Sequence, residues 1–491
     1  MFGRVWPWSC LGLAGSLLVA LTGPRIVNGG VITWWYALTF PVSHSANLVA
    51  LYIGMLALSG AWLGLGRVLD RAGGVRQFEL WIVGVLWLTP LAVGPALFSR
   101  DVYSYLAQGT ILHLGLSPYH DTPVVLGHLG HAHLLQAVFP FWRHTTAPYG
   151  PLFLALISLI VSITGSHLIA GVLLVRITLL AGIGLLAVFI PRLARALGAD
   201  PVRGTWLAIL SPLVLLELVA AGHNDALMIG LMVAGVTLAL ERHPLLGLTA
   251  CALAATIKIP AAIAAVFIAV AWARSMPTPT LRWRFLAQGA VTAVGVIAAV
   301  SLATGLGISW ISTTLFSTPA KVRLAITPAT GVGRTISSLL HDVGITVGAH
   351  GLESACGLIA FAITAGLGAV LLWRVRLENL VLSLGVLLLA AAAGGPAAWP
   401  WYFTWGLVLL AACPGPGRSR AFAVAVAASV FLVKPSGSLA LPIQASPVVV
   451  AVYALLAGAA WYTWRRGHDD RGTAGRAPSV SGGAPPALVR S

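Results

Sequence analysis

Only 13 of 491 residues are Asp or Glu, so acid–base chemistry has few places to reside. Asp70, Glu79, Asp200, Glu241, Glu378, Asp469 and Asp470 stand among the connections richest in arginine. Asp101, Asp121, Asp225, Asp342 and Glu353 stand in the opposite set of connections, and Glu217 falls within an apolar run. The densest polar stretch is Phe98-Ser-Arg-Asp-Val-Tyr-Ser-Tyr105. An aspartate beside Arg100, with Tyr103 and Tyr105 following, can act as a general base on a hydroxyl. Arg100 and Asp101 could equally form a solvated helix cap. In Gly222-His-Asn-Asp225, His223 can bond a hydroxyl while Asn224 and Asp225 are suited to capping the next helix. Lys258, in Ala255-Thr-Ile-Lys-Ile-Pro260, is a cation between two very apolar runs. That is costly without an anion such as a lipid phosphate, unless the side chain snorkels.

Other cations break the overall charge pattern in the same direction. Arg100, Arg143, Lys321, Arg323 and Arg334 fall in the arginine-poor connections, where a fixed anion would account for them. Trp399, Trp401, Tyr402 and Trp405 cluster in Ala398-Trp-Pro-Trp-Tyr-Phe-Thr-Trp405, as an aromatic belt or as a wall that grips a ligand. Arg176, inside an apolar run, has three readings: a pair with Glu217, a phosphate ligand or a snorkelling side chain. His128-x-x-His-x-His133 has no carboxylate or cysteine at zinc spacing, so no metal ligand is assigned and a divalent metal is left open. Cys10, Cys251, Cys356 and Cys413 show no CxxC spacing and read as small buried hydrophobes.

The elements that position these residues must be membrane helices. Hydrophobic residues make up 58% of the chain and charged ones 9%, too few to cover soluble domains of this length. Apolar runs suited to crossing the bilayer lie near 10–22, 47–66, 78–98, 167–190, 205–220, 225–240, 244–257, 259–273, 285–304, 351–373, 378–395, 399–413, 421–435 and 444–464. This predicts an all-α polytopic membrane protein with about 14 transmembrane helices. The first run resembles a signal peptide, but no small-x-small cleavage site follows it.

The net charge of +16 comes from arginines in alternate connections, which is the signature of topology and not of nucleic-acid binding. By the positive-inside rule both termini are cytoplasmic and the segments 99–147 and 305–350 lie outside. Residues 148–165 are apolar enough to cross, but crossing would put Arg192, Arg195 and Arg203 outside. They read as an interfacial helix, with fifteen crossings and an inverted second half as the alternative. The expected organisation is 1–98 amino-terminal helices, 99–166 an outer loop with interfacial helices, 167–304 a helical core, 305–350 a second outer segment, 351–464 carboxy-terminal helices and 465–491 a disordered tail. No DxD, P-loop or GxGxxG occurs in the cytoplasmic connections, so no nucleotide site can be built there.

The motifs FSRDVYSYLAQG (98–109), APYGPLF (147–153), GHNDALMIGLMVAG (222–235), TIKIPA (256–261), SLATGLG (301–307) and PWYFTW (400–405) resemble the GT-C superfamily of glycosyltransferases. Within it they are similar to the actinobacterial polyprenol-phosphate-mannose-dependent α-1,6-mannosyltransferases of the MptB type, from about 85 to 410. The resemblance implies mannose transfer from polyprenyl-phosphate-mannose to a lipid-anchored α-1,6-mannan, the core of lipomannan and lipoarabinomannan, at the outer face of the plasma membrane. It also implies that Asp101 is the catalytic acidic residue, and no cofactor is required. In this reading Lys258, Arg323, Arg143 and Arg334 stabilise the departing phosphate, with Lys321 and Arg100 adding charge. Tyr103, His223, Asn224 and Asp225 orient sugar hydroxyls, and Trp399, Trp401 and Tyr402 form a wall. The competing class is a transporter or flippase of a lipid-linked sugar. Polar candidates gathered on one side argue against it, as does the lack of an inverted repeat between the two halves.

Overall fold

The computed structural model describes residues 2–23, 26, 43–70, 75–314, 327–395 and 397–437, together with 447, 450, 451, 454, 455 and 458. The architecture is all-helical. The principal helices are α1 (Phe2–Thr22), α2 (His44–Leu69), α3 (Gln77–Val93), α4 (Asp101–His113), α5 (Pro151–Thr164), α6 (Leu168–Ala196) and α7 (Pro201–Ala208). After a π-helical segment over Val214–Ala220 come α8 (Asp225–Leu240), α9 (Pro244–Ala255), α10 (Ala262–Ser275) and α11 (Pro279–Ala303). The carboxy-terminal part contains α12 (Pro328–Asp342), α13 (Ala349–Arg374), α14 (Leu380–Gly394), α15 (Thr404–Ala411) and α16 (Arg420–Ser429).

Small residues set the closest helix crossings. Gly15 meets Gly54 between α1 and α2, Gly182 meets Gly230 between α6 and α8, Gly235 meets Gly247 between α8 and α9, and Gly385 meets Gly406 between α14 and α15. With no hydrophobic drive between helices in lipid, such backbone-to-backbone approach is what holds them together. Trp62 and Trp206 stack at 4.5 Å, and each indole N–H donates to the other's carbonyl at 2.9 Å, tying α2 to α7.

The expected spans are mostly helical where they fall on described residues, but several are interrupted. Five described helices are long and apolar enough to cross a bilayer singly: those at Gly3–Thr22, His44–Leu69, Leu168–Ala196, Pro279–Ala303 and Ala349–Arg374. The 205–220 run is broken between α7 and the π segment, which meets α8 at a bend of 114°. Several other expected spans are helices of 10–17 residues. Apolar windows report burial from water, whether by lipid or by protein, so they mark helices without fixing where each one stops. Most of 444–464 and all of the expected tail lie outside the described residues.

Helix α5 has 14 residues, about 21 Å at 1.5 Å per residue, against about 30 Å of hydrocarbon. It packs along α4. Cys251 and Cys413 are buried as expected, whereas Cys10 is exposed and Cys356 half-buried, on outward faces of α1 and α13.

The basic connections converge at one end of the bundle. Arg192 pairs with Glu241, Arg203 and Arg420 both reach Asp70, and Arg203 also donates to the Gly417 carbonyl at 2.7 Å. The residues singled out for chemistry collect at the other end.

Candidate active site

The segment carrying Asp101 is held in place before α4 begins. Phe98 has φ +62°, a left-handed conformation that costs a bulky residue free energy and persists only where its surroundings impose it. Here the Leu97 amide donates to Ala220 at 3.2 Å and the Phe98 amide to Pro435 at 3.1 Å. Arg176 completes the clamp. Its guanidinium donates to the carbonyls of Leu91, Ala92, Gly94, Pro95 and Ala220, satisfying orphan acceptors at the end of α3. None of the three sequence readings of Arg176 describes this, because its partners are backbone carbonyls 81–85 residues earlier and 44 later that no side-chain pattern reveals.

Asp101 opens α4 and keeps 16% of its side-chain surface exposed, enough to be reached by a ligand. Its Oδ2 lies 3.7 Å from Nε2 of His223, which is otherwise fully buried. The His223 Nδ1 is 2.6 Å from the Glu217 carbonyl, so an Nδ1–H tautomer leaves Nε2 unprotonated and aimed at the Asp101 side. Burial pushes the Asp101 carboxyl above the usual aspartate range, partly offset by His223 and Lys258. The turn bearing His223 requires Gly222, whose φ is +73° and where a Cβ would meet Val102 at 2.8 Å.

Asn224 begins α8, but its side chain makes no capping bond, contrary to the capping reading. Both side-chain atoms are buried without a protein partner, as are Nε2 of His223 and both carboxylate oxygens of Glu217. The Asn224 backbone N–H donates to the Tyr105 hydroxyl at 3.2 Å. Asp225 does not cap with its side chain either. Lys258 donates to its two oxygens at 2.9 and 2.8 Å, and the Trp405 indole donates to Oδ1 at 2.5 Å. Asp225 therefore supplies a protein anion for Lys258. The turn holding Lys258 is fixed by APYGPLF, since Gly150 and Leu152 donate to Ile257 and Thr256 at 2.9 and 3.0 Å.

The aromatic run forms a buried wall and not an exposed belt. Trp401 stacks on His223 with centroids 3.9 Å apart, Trp399 stacks on Trp401 at 4.8 Å, and Tyr402 stacks on Trp405 at 4.6 Å. Lys258 Nζ sits 4.5 Å over the Tyr402 ring.

Not every expected residue joins this cluster. Arg143 donates to the carbonyls of Val138 and Gln136 in its own loop, and Arg334 pairs with Glu353 on α13 at 2.5 Å. Lys321 and Arg323 lie outside the described residues. Tyr103 is buried facing Arg176 and Arg100, and Tyr105, on the Asp101 face of α4, makes the contact instead. The i, i+4 spacing from Asp101 carries that signal, whereas i+2 turns away. Glu217, read only as a candidate partner of Arg176, was missed as a site residue. Among the described residues no three His, Cys, Asp or Glu side chains converge as metal ligands.

A family profile described as alpha-(1->6)-mannopyranosyltransferase, N-terminal domain, matches residues 9–274, and one described as MptB C-terminal domain matches 329–465. The chain belongs to the alpha-(1->6)-mannopyranosyltransferase family.

It is 32% identical to alpha-(1->6)-mannopyranosyltransferase A of Mycobacterium tuberculosis over 96% of this chain and 92% of that one. A second alpha-(1->6)-mannopyranosyltransferase of the same organism is 31% identical over 75% of this chain and 71% of its own. Alpha-(1->6)-mannopyranosyltransferase B of Corynebacterium glutamicum is 27% identical over 86% and 75%. No solved structure matches the chain. Of the two mannosyltransferase profiles, the N-terminal one spans Asp101, His223, Asn224, Asp225 and Lys258, while Trp399 to Trp405 fall in the C-terminal one.

Proposed function

We propose that the protein is an inverting mannosyltransferase that moves mannose from polyprenyl-phosphate-mannose to a growing, lipid-anchored α-1,6-mannan at the outer face of the plasma membrane. The observation that carries this reading is the largely buried but still accessible Asp101 carboxylate, set beside His223 and backed by the Trp399–Trp401 stack. A β-linked donor giving an α-glycoside requires one displacement: the acceptor oxygen bonds to the anomeric carbon as the bond to the phosphate oxygen breaks. Asp101 takes the acceptor hydroxyl proton. Its raised affinity for a proton brings it closer to the operating pH and makes it a stronger base than a solvated aspartate.

His223 and the unpartnered Asn224 amide face the site with hydrogen-bonding capacity that sugar hydroxyls would satisfy. Lys258 spends two N–H groups on Asp225, which leaves one for the departing phosphate. Arg100 flanks Asp101, and the sequence places Lys321 and Arg323 in the adjoining outer segment. The arginine-rich end is cytoplasmic in this reading, with the Asp101 end outside.

Purified protein in detergent, given polyprenyl-phosphate-mannose labelled in the sugar and a short α-1,6-mannoside, should extend the acceptor by an α-linked residue. Detergent removes the second compartment, so a flippase would give no product there. Its absence with folded protein would overturn the transferase reading.

A further inference from the structure

We propose that the arginine-rich end holds a second, separate site: a cleft for the phosphate of an anionic glycerophospholipid. A cavity of about 620 Å³ opens where α10 and α13 end and α11 and α14 begin, lined by Arg274, Arg282, Arg374 and Arg376 with Glu378 as its one carboxylate. The inference does not depend on the transferase reading.

Positive charge is expected at this end, but here it is organised differently from its surroundings. Elsewhere on the same end several arginines are answered by acids, as in Arg192 with Glu241 and Arg203 with Asp70. In the cleft four guanidinium groups face one carboxylate, and among the described residues none of them pairs with it within 4.0 Å.

The cleft is built. Arg274 donates to the carbonyls of Leu372 and Val375 at 2.9 Å, latching α10 to the end of α13. Asn379 closes the 374–379 turn, accepting from the Arg376 amide at 2.7 Å and donating to the Arg374 carbonyl at 3.1 Å. Two helices, α11 and α14, start at the cleft, where their N-termini favour negative charge.

The apolar surroundings select a lipid over a free phosphate. Trp373, 81% exposed, borders the cleft, and Trp283 on α11 is 73% exposed nearby. Indoles at this level are suited to the headgroup boundary. Along α13, Leu358, Phe361 and Ile363 are bare, as are Val291 and Leu302 on α11, so acyl chains have apolar surface to follow. A phosphodiester in the cleft would supply the anion that the four guanidinium groups lack.

The test uses the full-length protein in phosphatidylcholine nanodiscs, titrated with phosphatidylglycerol and read by native mass spectrometry for retained lipid. Wild type should retain phosphatidylglycerol over phosphatidylcholine. Arg374→Gln with Arg376→Gln should weaken that retention about thirtyfold, from roughly 1 kcal/mol per surface arginine. Arg67→Gln with Arg195→Gln, which removes equal charge from the same end, should leave it unchanged. All four side chains are exposed, so folding is not at risk. No preference in wild type, or equal loss in both double variants, would overturn the proposal. Equal retention of glycerol phosphate or inorganic phosphate would replace the lipid with a soluble anion and overturn it too.

Discussion

The two ends of the helical bundle treat polar groups in opposite ways. At the arginine-rich end, Arg192, Arg203 and Arg420 find carboxylates within reach, in pairs that remain partly exposed. At the Asp101 end the polar groups are more deeply buried and less satisfied. The Glu217 carboxylate, Nε2 of His223 and both side-chain polar atoms of Asn224 have no hydrogen-bond partner in the protein, while Asp225 and Lys258 engage each other. Buried polar atoms without partners are expensive, so a cluster of them beside a largely buried but still accessible carboxylate marks where a ligand completes the structure. The paired end teaches the converse, because charges that satisfy one another have little left for chemistry.

The sharpest way to break this contrast is at the one pair the site does complete. Lys258→Met would leave Asp225 buried and unpaired, and should destabilise the protein by about 3–5 kcal/mol. Adding Asp225→Asn should restore much of that loss. Thermal unfolding of the single and double variants in one detergent measures the coupling.

Asn224→Leu separates stability from function. If the amide is kept for a ligand, removing it should leave stability unchanged or raised by about 1 kcal/mol, since an unpartnered amide is no longer buried. Transfer should nevertheless fall at least about tenfold, the worth of one good hydrogen bond to substrate. A drop in unfolding temperature without a drop in transfer would show that Asn224 is structural.

The pH profile follows from Asp101. A base must be deprotonated, and burial raises this carboxyl, so transfer should decline on acidification at a pH above the range of an ordinary aspartate. His223, Lys258, Asp225 and Ser99 face the same group and shape the profile. Asp225→Asn should move that limb downward, because one like charge is removed.

The smallest effect is expected at the paired end. Arg203→Met loses a partly exposed pair worth about 1 kcal/mol or less, and should leave transfer unchanged.

Much of the site was legible because polar residues stand out against so apolar a background. Asp101, His223, Lys258 and Trp401 could be singled out by type alone, and the structure gathers the turns that carry them. Their pairings could not be read. Lys258 reaches Asp225 across 33 residues, and Arg176 reaches backbone carbonyls that have no side-chain signature. Hydropathy found the helices but not where they break, because the π segment over Val214–Ala220 and the short α15 are as apolar as true spans. That π segment also positions the Glu217 carbonyl toward His223, a contact that helical periodicity could not foresee.

The central claim is that Asp101 removes the acceptor proton. The most direct measurement is mannosyl transfer by purified Asp101→Asn beside wild type, with donor binding and thermal unfolding followed in the same preparation and a chelator added in a parallel arm. The account predicts a rate lowered by about 10²–10⁴, with binding and unfolding close to wild type. Near-normal transfer by the folded variant would contradict it and move the search for the base to another group at the same end.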